Sequence, residues 1–150
     1  MHIRDAQLAD GQPIQKLLMA YVSDGIVLPR SLVEIYQAIR EFKVVEENGV
    51  VTGACALHIW WENLAEVRSL AVAPGQERRG IGRTLVTAAL EEAKAMGITR
   101  VFALTYKPDF FVRLGFAVVD KAELPQKIWG DCVKCVKFPQ CDETAVSIML

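Results

Sequence analysis

The segment from Leu70 to Arg83 constrains the fold more than any other part of the sequence. It ends an apolar, strand-like run, passes through a loop that contains Gly80 and Gly82, and opens a long helix with apolar residues at helical spacing. Glycines let backbone N–H groups approach an anion, and a helix N-terminus adds positive charge. The pattern predicts a cradle for phosphate, although a tight turn before a helix has the same glycines.

Two common phosphate-binding motifs do not fit this loop. The lysine and the Ser/Thr of a P-loop are absent, and a dinucleotide-binding fingerprint would need a third glycine after an N-terminal strand. The sequence therefore indicates a phosphate-bearing ligand of another class.

The rest of the chain alternates between strand and helix patterns. Asn48-Gly49 lies between two β-rich runs and predicts a hairpin, Ser31 and Glu34 form a capping-box pattern, and Gly97 follows a helix as a C-cap glycine. We predict strands at 1–5, on both sides of Asn48-Gly49, at 64–73, 100–105, 116–120 and 144–150, and helices at 9–22, after 31, from 80 and at 109–114. This order predicts a mixed α/β sheet with about seven strands and four helices.

Length and charge limit the class of partner. The 150 residues, 52% of them hydrophobic and 23% charged, suit a single domain over residues 1–150. A formal net charge of −1 gives no cationic field for nucleic acid or an anionic membrane. No apolar run reaches the roughly 18 residues of a membrane span, and the N-terminus lacks a signal-peptide pattern. We expect a cytoplasmic protein with a small-molecule partner; a homodimer is compatible with the sequence.

Several motifs resemble one enzyme family. The pattern A-V-x-P-x-x-x-x-x-G-I-G before a helix, followed by a strand and FFVRLGF, resembles the acetyl-CoA-binding core of the GNAT acetyltransferases. LPRS at 28–31, AEVRSLAV at 65–72, FALT at 102–105, LPQKIWGDCVKC at 124–135 and CDE at 141–143 are similar to short amino-acid N-acetyltransferases related to N-acetylglutamate synthase. The resemblance implies a GNAT acyl-CoA N-acyltransferase fold, acetyl-CoA as cosubstrate and transfer to the α-amino group of glutamate, a step of arginine biosynthesis.

The resemblance also implies which residues bind acetyl-CoA. The backbone of Leu70, Ala71 and Val72 would bind the pantetheine arm. The loop amides would hold the pyrophosphate, with arginines adding cations; these residues are Gln76, Glu77, Arg78, Arg79, Gly80, Ile81, Gly82 and Arg83. Glu77 departs from the family, which commonly has Arg or Gln there. We expect its carboxylate to point away from the pyrophosphate.

Acetyl transfer needs a base, an oxyanion donor and a route for protonating the thiolate. The N–H of Val72 is the candidate oxyanion donor. Glu66 is the preferred base, directly or through a water, because strand alternation puts it on one face with Arg68; a solvated carboxylate or an ion pair with Arg68 is the alternative. His58 is the other candidate base, or a structural histidine. Many family members have a tyrosine where this chain has Phe111, so Tyr106 is the candidate acid unless the thiolate needs none.

Cations are expected to bind the carboxylates of the acceptor. The candidates are Arg30, Arg68 and Lys127, while Trp60-Trp61 either cover the site or form a dimer contact. Two other functions stay open, namely acetylation of another amine (a protein N-terminus, a polyamine or an amino-acid analogue) and a coenzyme A-binding regulatory module without activity.

Three cysteines near the C-terminus form a separate motif. Cys132, Cys135 and Cys141 could hold a structural zinc ion, but a second C-x2-C knuckle and a clear fourth ligand are missing. Reduced cysteines in a loop beside the substrate, or a disulfide between Cys132 and Cys135, are the other interpretations.

Overall fold

The structure, a computed structural model, describes residues 1–22, 30–124 and 143–150, with main chain only at 21 and 22. Within these residues the strands are β1 (His2–Asp5), β2 (Phe42–Glu47), β3 (Val50–Trp61), β4 (Leu64–Val72), β5 (Arg100–Thr105), β6 (Ala117–Val119) and β7 (Thr144–Met149). The α-helices are α1 (Gly11–Val22), α2 (Leu32–Gln37), α3 (Ile81–Ala95) and α4 (Pro108–Arg113). No helix in the described part is long and apolar enough to cross a membrane.

The seven strands form one mixed sheet in the order β1-β2-β3-β4-β5-β7-β6. All neighbours are antiparallel except β4 and β5, which are parallel. That parallel pairing covers only Leu64 to Glu66, although β4 continues to Val72 and β5 to Thr105. The two central strands therefore separate and leave a cleft in the middle of the sheet.

Local signals in the sequence account for most element boundaries. Asn48 and Gly49 both have positive φ, at 52° and 78°, and close the β2–β3 hairpin as predicted. The side chain of Ser31 accepts a hydrogen bond from the Glu34 N–H at the start of α2, which confirms the capping box. Gly97, at a φ of 89°, ends α3. The first helix begins later than predicted, because Leu8–Asp10 form a 3₁₀ turn ahead of Gly11.

Each face of the sheet has its own core. On one face, α3 buries Ile81, Leu85 and Val86 against strand residues that include Leu57 and Val67. On the opposite face, α1 and α2 bury Ile14, Leu18 and Ile35 against strand residues that include Phe42, Ala54 and Ala56. Adjacent β3 residues alternate between these faces, as strand geometry requires. From Ala54 to Trp60, the even-numbered residues of β3 therefore lie on the α1/α2 face.

A bulge interrupts β4 at Ser69. Ala54 of β3 pairs with Ala71, but Ala56 pairs with Arg68, so two β4 residues, Ser69 and Leu70, lie opposite the single β3 residue Cys55. Ser69 takes a φ of 55°, a left-handed conformation that is uncommon for a residue other than glycine. The bulge lies where β4 has already left β5, and uncommon backbone conformations of this kind cluster at functional sites.

Candidate active site

The loop after β4 begins as a tight turn. Pro74 and Gly75, the latter at a φ of 85°, occupy its centre, and the Gln76 N–H donates to the Ala73 carbonyl at 2.9 Å. The Ala73 N–H in turn donates to the Thr52 carbonyl at 2.8 Å, which ties the turn to β3. The Gln76 N–H, predicted to face a pyrophosphate, is therefore used inside the turn. The backbone N–H groups of residues 77 to 82 are the other candidates from this loop.

The two glycines of the loop serve different purposes. Gly80 is the N-cap of α3 at a φ of 83°, and a side chain there would meet nothing within 4 Å. Gly82 has ordinary helical geometry, but a Cβ on it would lie 3.2 Å from the Phe110 ring and 3.8 Å from Val72. Gly80 therefore turns the chain into the helix, and Gly82 lets the helix N-terminus approach both sides of the cleft.

The charged side chains of the loop are divided between internal bonds and solvent. Arg79 pairs with both carboxylate oxygens of Glu47 at 2.8 and 3.0 Å, and with the Gln76 side chain. The Glu77 carboxylate accepts the Gly75 N–H at 2.8 Å, so it folds back on its own loop. Arg78 and Arg83 are exposed. The positive charge offered to a ligand at the start of α3 therefore comes from Arg78, Arg83 and the helix itself.

The predicted pantetheine and acid residues lie along the cleft between β4 and β5. Leu70 and Val72 pack their side chains toward the α3 face, whereas Ala71 belongs to the core on the opposite face. Tyr106 follows the last residue of β5 and is half-buried. Phe110, which the sequence analysis did not single out, lies beside Gly82 and so borders the same cleft. Phe110 is the first residue of the FFVRLGF block, so the motif could have drawn attention to it.

A polar cluster occupies the α1/α2 face of β3 and β4. The Glu66 carboxylate, whose side chain is only 10% exposed, lies 3.8 Å from the Arg68 guanidinium, so alternation did place them together. The Trp60 indole N–H donates to the same Glu66 oxygen at 3.0 Å. Trp60 therefore faces the cluster, whereas its neighbour Trp61 is 56% exposed.

Two further members of this cluster come from different elements. Glu41, just before β2, lies 3.0 Å from Nδ1 of His58 and 3.9 Å from Arg68. His58 is the direct cross-strand partner of Glu66, and its ring packs edge-on against Trp60 at 4.9 Å. Sequence reasoning considered His58 but missed Glu41, because the pairing of Phe42 with Ala56 that brings it near is not a local feature.

Arg30 completes the cluster from the start of α2. Its guanidinium donates to the Ser69 hydroxyl at 2.8 Å and stacks over the Phe42 ring at 5.4 Å. Burial lowers the pKa of Arg30, and the nearby positive charge of Arg68 lowers it further. Two of the three cations predicted to bind the acceptor therefore lie in one cluster beside the bulge.

Other predicted residues are not part of this arrangement. Phe111 is buried and packs edge-on against Phe110 and Phe116, so the family's tyrosine position is part of the core here. Cys55 is a free thiol inside the α3-side core, where burial raises its pKa to about 12. Lys127 and the three cysteines, Cys132, Cys135 and Cys141, lie outside the described residues.

Comparison with known families agrees with this geometry. A sequence model of the acetyltransferase (GNAT) family matches residues 16–116. A Chlorobaculum tepidum protein, named as an uncharacterized N-acetyltransferase, is 42% identical over 96% of this chain and 93% of its own. The amino-acid acetyltransferase of Mycobacterium tuberculosis is 34% identical over 86% of this chain and 75% of its own.

Solved structures extend the match to proteins with bound ligands. Rv2747 of Mycobacterium tuberculosis, in complex with CoA and the ligand NLQ, superposes with a TM-score of 0.87 at 28% identity, over 100% of this chain and 99% of that one. The N-acetylglutamate synthase of Neisseria gonorrhoeae, in complex with coenzyme A and N-acetyl-glutamate, gives 0.91 at 28% identity. This chain is covered to 99% there, but it spans only 35% of the gonococcal protein.

The fold, the cleft and these matches define a class of protein. The chain belongs to the GNAT family of acetyltransferases. It is an acetyl-CoA-dependent N-acetyltransferase, and the seven-stranded mixed sheet with four helices is the GNAT fold that the sequence predicted.

Proposed function

We propose that this chain, acting as a single domain over residues 1–150, transfers the acetyl group of acetyl-CoA to the α-amino group of a free amino acid, and that L-glutamate is the preferred acceptor. The observation that carries the proposal is the pair of guanidinium groups, Arg30 and Arg68, beside the β4 bulge. Support also comes from the amino-acid acetyltransferase and N-acetylglutamate synthase relatives.

The two guanidiniums put two positive charges close together, and the two carboxylates of a dicarboxylic acceptor would match them. The charge of Arg68 disfavours the charged form of Arg30, so the two cations repel each other. Glu41 and Glu66 offset part of this repulsion, but their contacts to Arg68, at 3.9 and 3.8 Å, are long. A carboxylate of the substrate can approach either guanidinium closely and relieve the repulsion. Lys127, outside the described residues, is the third proposed carboxylate ligand.

The residues at the cleft suit acetyl-CoA by charge and by space. Gly82 leaves room between α3 and Phe110, and the first amides of α3 have no side-chain cap from Gly80. We assign the pyrophosphate to the backbone from Glu77 to Gly82 and to the side chains of Arg78 and Arg83. The pantetheine arm would follow the backbone of β4 at residues 70–72, where β5 has separated.

The chemistry assigns one task to each of three residues. Glu66 binds the acceptor's ammonium group and takes its proton, directly or through a water. The N–H of Val72 stabilises the oxyanion that develops when the amine attacks the thioester carbonyl. Tyr106, at the end of β5, protonates the departing thiolate. With glutamate as acceptor the product is N-acetylglutamate, which places the reaction in arginine biosynthesis.

A product assay tests the acceptor. Purified protein is incubated with acetyl-CoA and a panel of amino acids, polyamines and peptides with free N-termini, and acetylated products are identified by mass spectrometry. Dominant N-acetylglutamate supports the proposal. Glutamine and aspartate are the matched comparisons, because the first lacks the side-chain charge and the second shortens its reach. A different dominant amine leaves only the GNAT activity, and cofactor binding without any product supports a regulatory module.

A further inference from the structure

Each acetyl transfer to an amino acid releases one proton that the protein must pass to solvent. The acceptor enters as an ammonium ion and must lose a proton before it attacks; the C–N bond then forms and the C–S bond breaks. The thiolate takes a proton from Tyr106, and the second proton of the nitrogen restores the tyrosine. The first proton is the one left over. If Glu66 takes this proton, its carboxyl group must lose it again before the next turnover. The Glu66 side chain is only 10% exposed, so the proton needs a path to solvent.

The neighbouring strand places a more exposed titratable residue, His58, opposite Glu66. His58 is the cross-strand partner of Glu66, and residues paired in this way have Cβ atoms about 5 Å apart. The Trp60 side chain contacts both, because it donates to Glu66 and packs against the His58 ring. The His58 side chain is 26% exposed and that of Glu41 is 29% exposed, so exposure increases along the series from Glu66 outward.

The contact with Glu41 selects the tautomer of the His58 ring. An ionised carboxylate only accepts hydrogen bonds, so Nδ1 of His58 carries the proton that lies between it and Glu41 at 3.0 Å. The other ring nitrogen, Nε2, is then the basic one. A free imidazole binds a proton about a hundredfold more tightly than a free carboxylate, so transfer from a carboxylic acid to an imidazole is downhill.

We propose that His58, oriented by Glu41, takes the substrate-derived proton from Glu66 through a water and releases it to solvent. His58 is thus a proton-relay residue, and Glu41 is a positioning residue that acts through it. The inference depends on the proposed role of Glu66, but it does not require that glutamate be the acceptor, because every ammonium acceptor releases the same proton.

Charged groups of both signs surround His58. Glu41 contacts it from just before β2, and Glu66 is its cross-strand partner on β4. Arg68 lies near both of these carboxylates, and Arg30 and Glu34 from the α2 side interact electrostatically with the same cluster. The relayed proton would therefore move among carboxylates and guanidiniums that partly offset each other's charge.

The test separates a proton relay from a packing role. In His58→Asn the amide nitrogen can still donate to Glu41, but no basic nitrogen remains, so kcat should fall about 100-fold with both KM values changed by less than about threefold. In His58→Ala, added imidazole should restore kcat in a saturable manner.

Glu41→Gln should cost about tenfold in kcat and move the acid limb of the kcat/KM profile to lower pH, because a negative charge that favours imidazolium is lost. His2→Asn, at the chain's other histidine, is the control and should behave as wild type.

The proposal is overturned if His58→Asn keeps kcat within about twofold of wild type, or if imidazole fails to restore His58→Ala. Should both His58 variants fail to fold, judged by thermal melting and CoA binding, Glu41→Gln decides, and an unmoved acid limb overturns the proposal. The kinetics use whichever amine the product assay identifies. Failure of glutamate as acceptor therefore appears in that assay, and failure of the relay appears only in these variants.

Discussion

The loop that follows β4 and the polar cluster around Glu66 and Arg68 adjoin the same strand, but they differ in how their charged side chains are used. In the loop, two of the charged side chains are used internally: Arg79 pairs with Glu47, and Glu77 accepts the Gly75 N–H. In the cluster, Glu66 and Arg68 themselves face the space where we place the acceptor. In our proposal, ligand binding by the loop depends mainly on the shape of its backbone, and ligand binding by the cluster depends on the positions of its charged side chains.

This difference has a consequence for specificity. A backbone cradle recognises a diphosphate that every acetyl-CoA carries, so its chemistry need not change when the acceptor changes. A cluster of paired charges is sensitive to each member, because a lost partner leaves a partly buried charge unbalanced. Substitutions in the loop should therefore weaken acetyl-CoA binding, and substitutions in the cluster should weaken binding of the acceptor amine.

The largest effect is expected at Gly82. Gly82→Val places atoms where even a Cβ would be 3.2 Å from the Phe110 ring, so either the ring or the start of α3 must shift at the cleft. We expect acetyl-CoA affinity to fall at least about 100-fold, which corresponds to about 2.7 kcal/mol. Isothermal titration with CoA measures it directly, and a melting curve confirms that the variant is folded.

A matched pair of glycines separates backbone strain from ligand binding. Gly80 and Gly49 have similar φ values, 83° and 78°, and a Cβ on either meets nothing within 4 Å. Alanine at either position should cost about 1–2 kcal/mol of folding free energy. Only Gly80→Ala should also weaken CoA binding. Equal CoA affinity in the two variants would show that the turn at Gly80 does not shape the cradle.

A smaller effect, on the other substrate, is expected at Arg68. Arg68→Ala removes a guanidinium near both Glu41 and Glu66, so the acceptor KM should rise about 30-fold while the acetyl-CoA KM stays within about twofold. Arg40→Ala, an exposed arginine next to Glu41 in sequence, is the control. Initial rates with each substrate varied in turn give both constants. An unchanged acceptor KM would remove Arg68 from the acceptor site and make the cluster a structural charge network.

The sequence predicted the loop better than the cluster because the loop depends on local signals. Gly80 and Gly82 before an amphipathic helix predict the loop and the start of α3 without knowledge of any distant contact. What could not be predicted was the internal use of side chains. The pairing of Arg79 with Glu47 joins residues that only the β2–β3 hairpin brings together.

The cluster was predicted only as far as strand alternation reaches. Alternation placed Glu66 and Arg68 on one face, but it does not hold across the bulge at Ser69, whose φ of 55° carries no clear sequence signal. Glu41 was missed because its approach depends on the register between β2 and β3. Contacts that depend on register or on a bulge are set by the whole sheet, so one strand's sequence does not determine them.

The smallest effect is expected where the loop uses charge internally. The hydrogen bonds from Arg79 hold the pKa of Glu47 below its usual value, so this pair is intact above the ordinary carboxyl range, about pH 4.3, and weakens only as pH falls through the lower folded value. Glu47→Gln should therefore raise the acetyl-CoA KM by only about twofold at pH 7, and high salt should reduce the difference from wild type. Asp5→Asn, which removes the exposed partner of Lys43 on the same sheet, is the matched control and should leave that KM unchanged. If Glu47→Gln instead alters the acceptor KM, the loop and the cluster are coupled, and the separation of their roles is wrong.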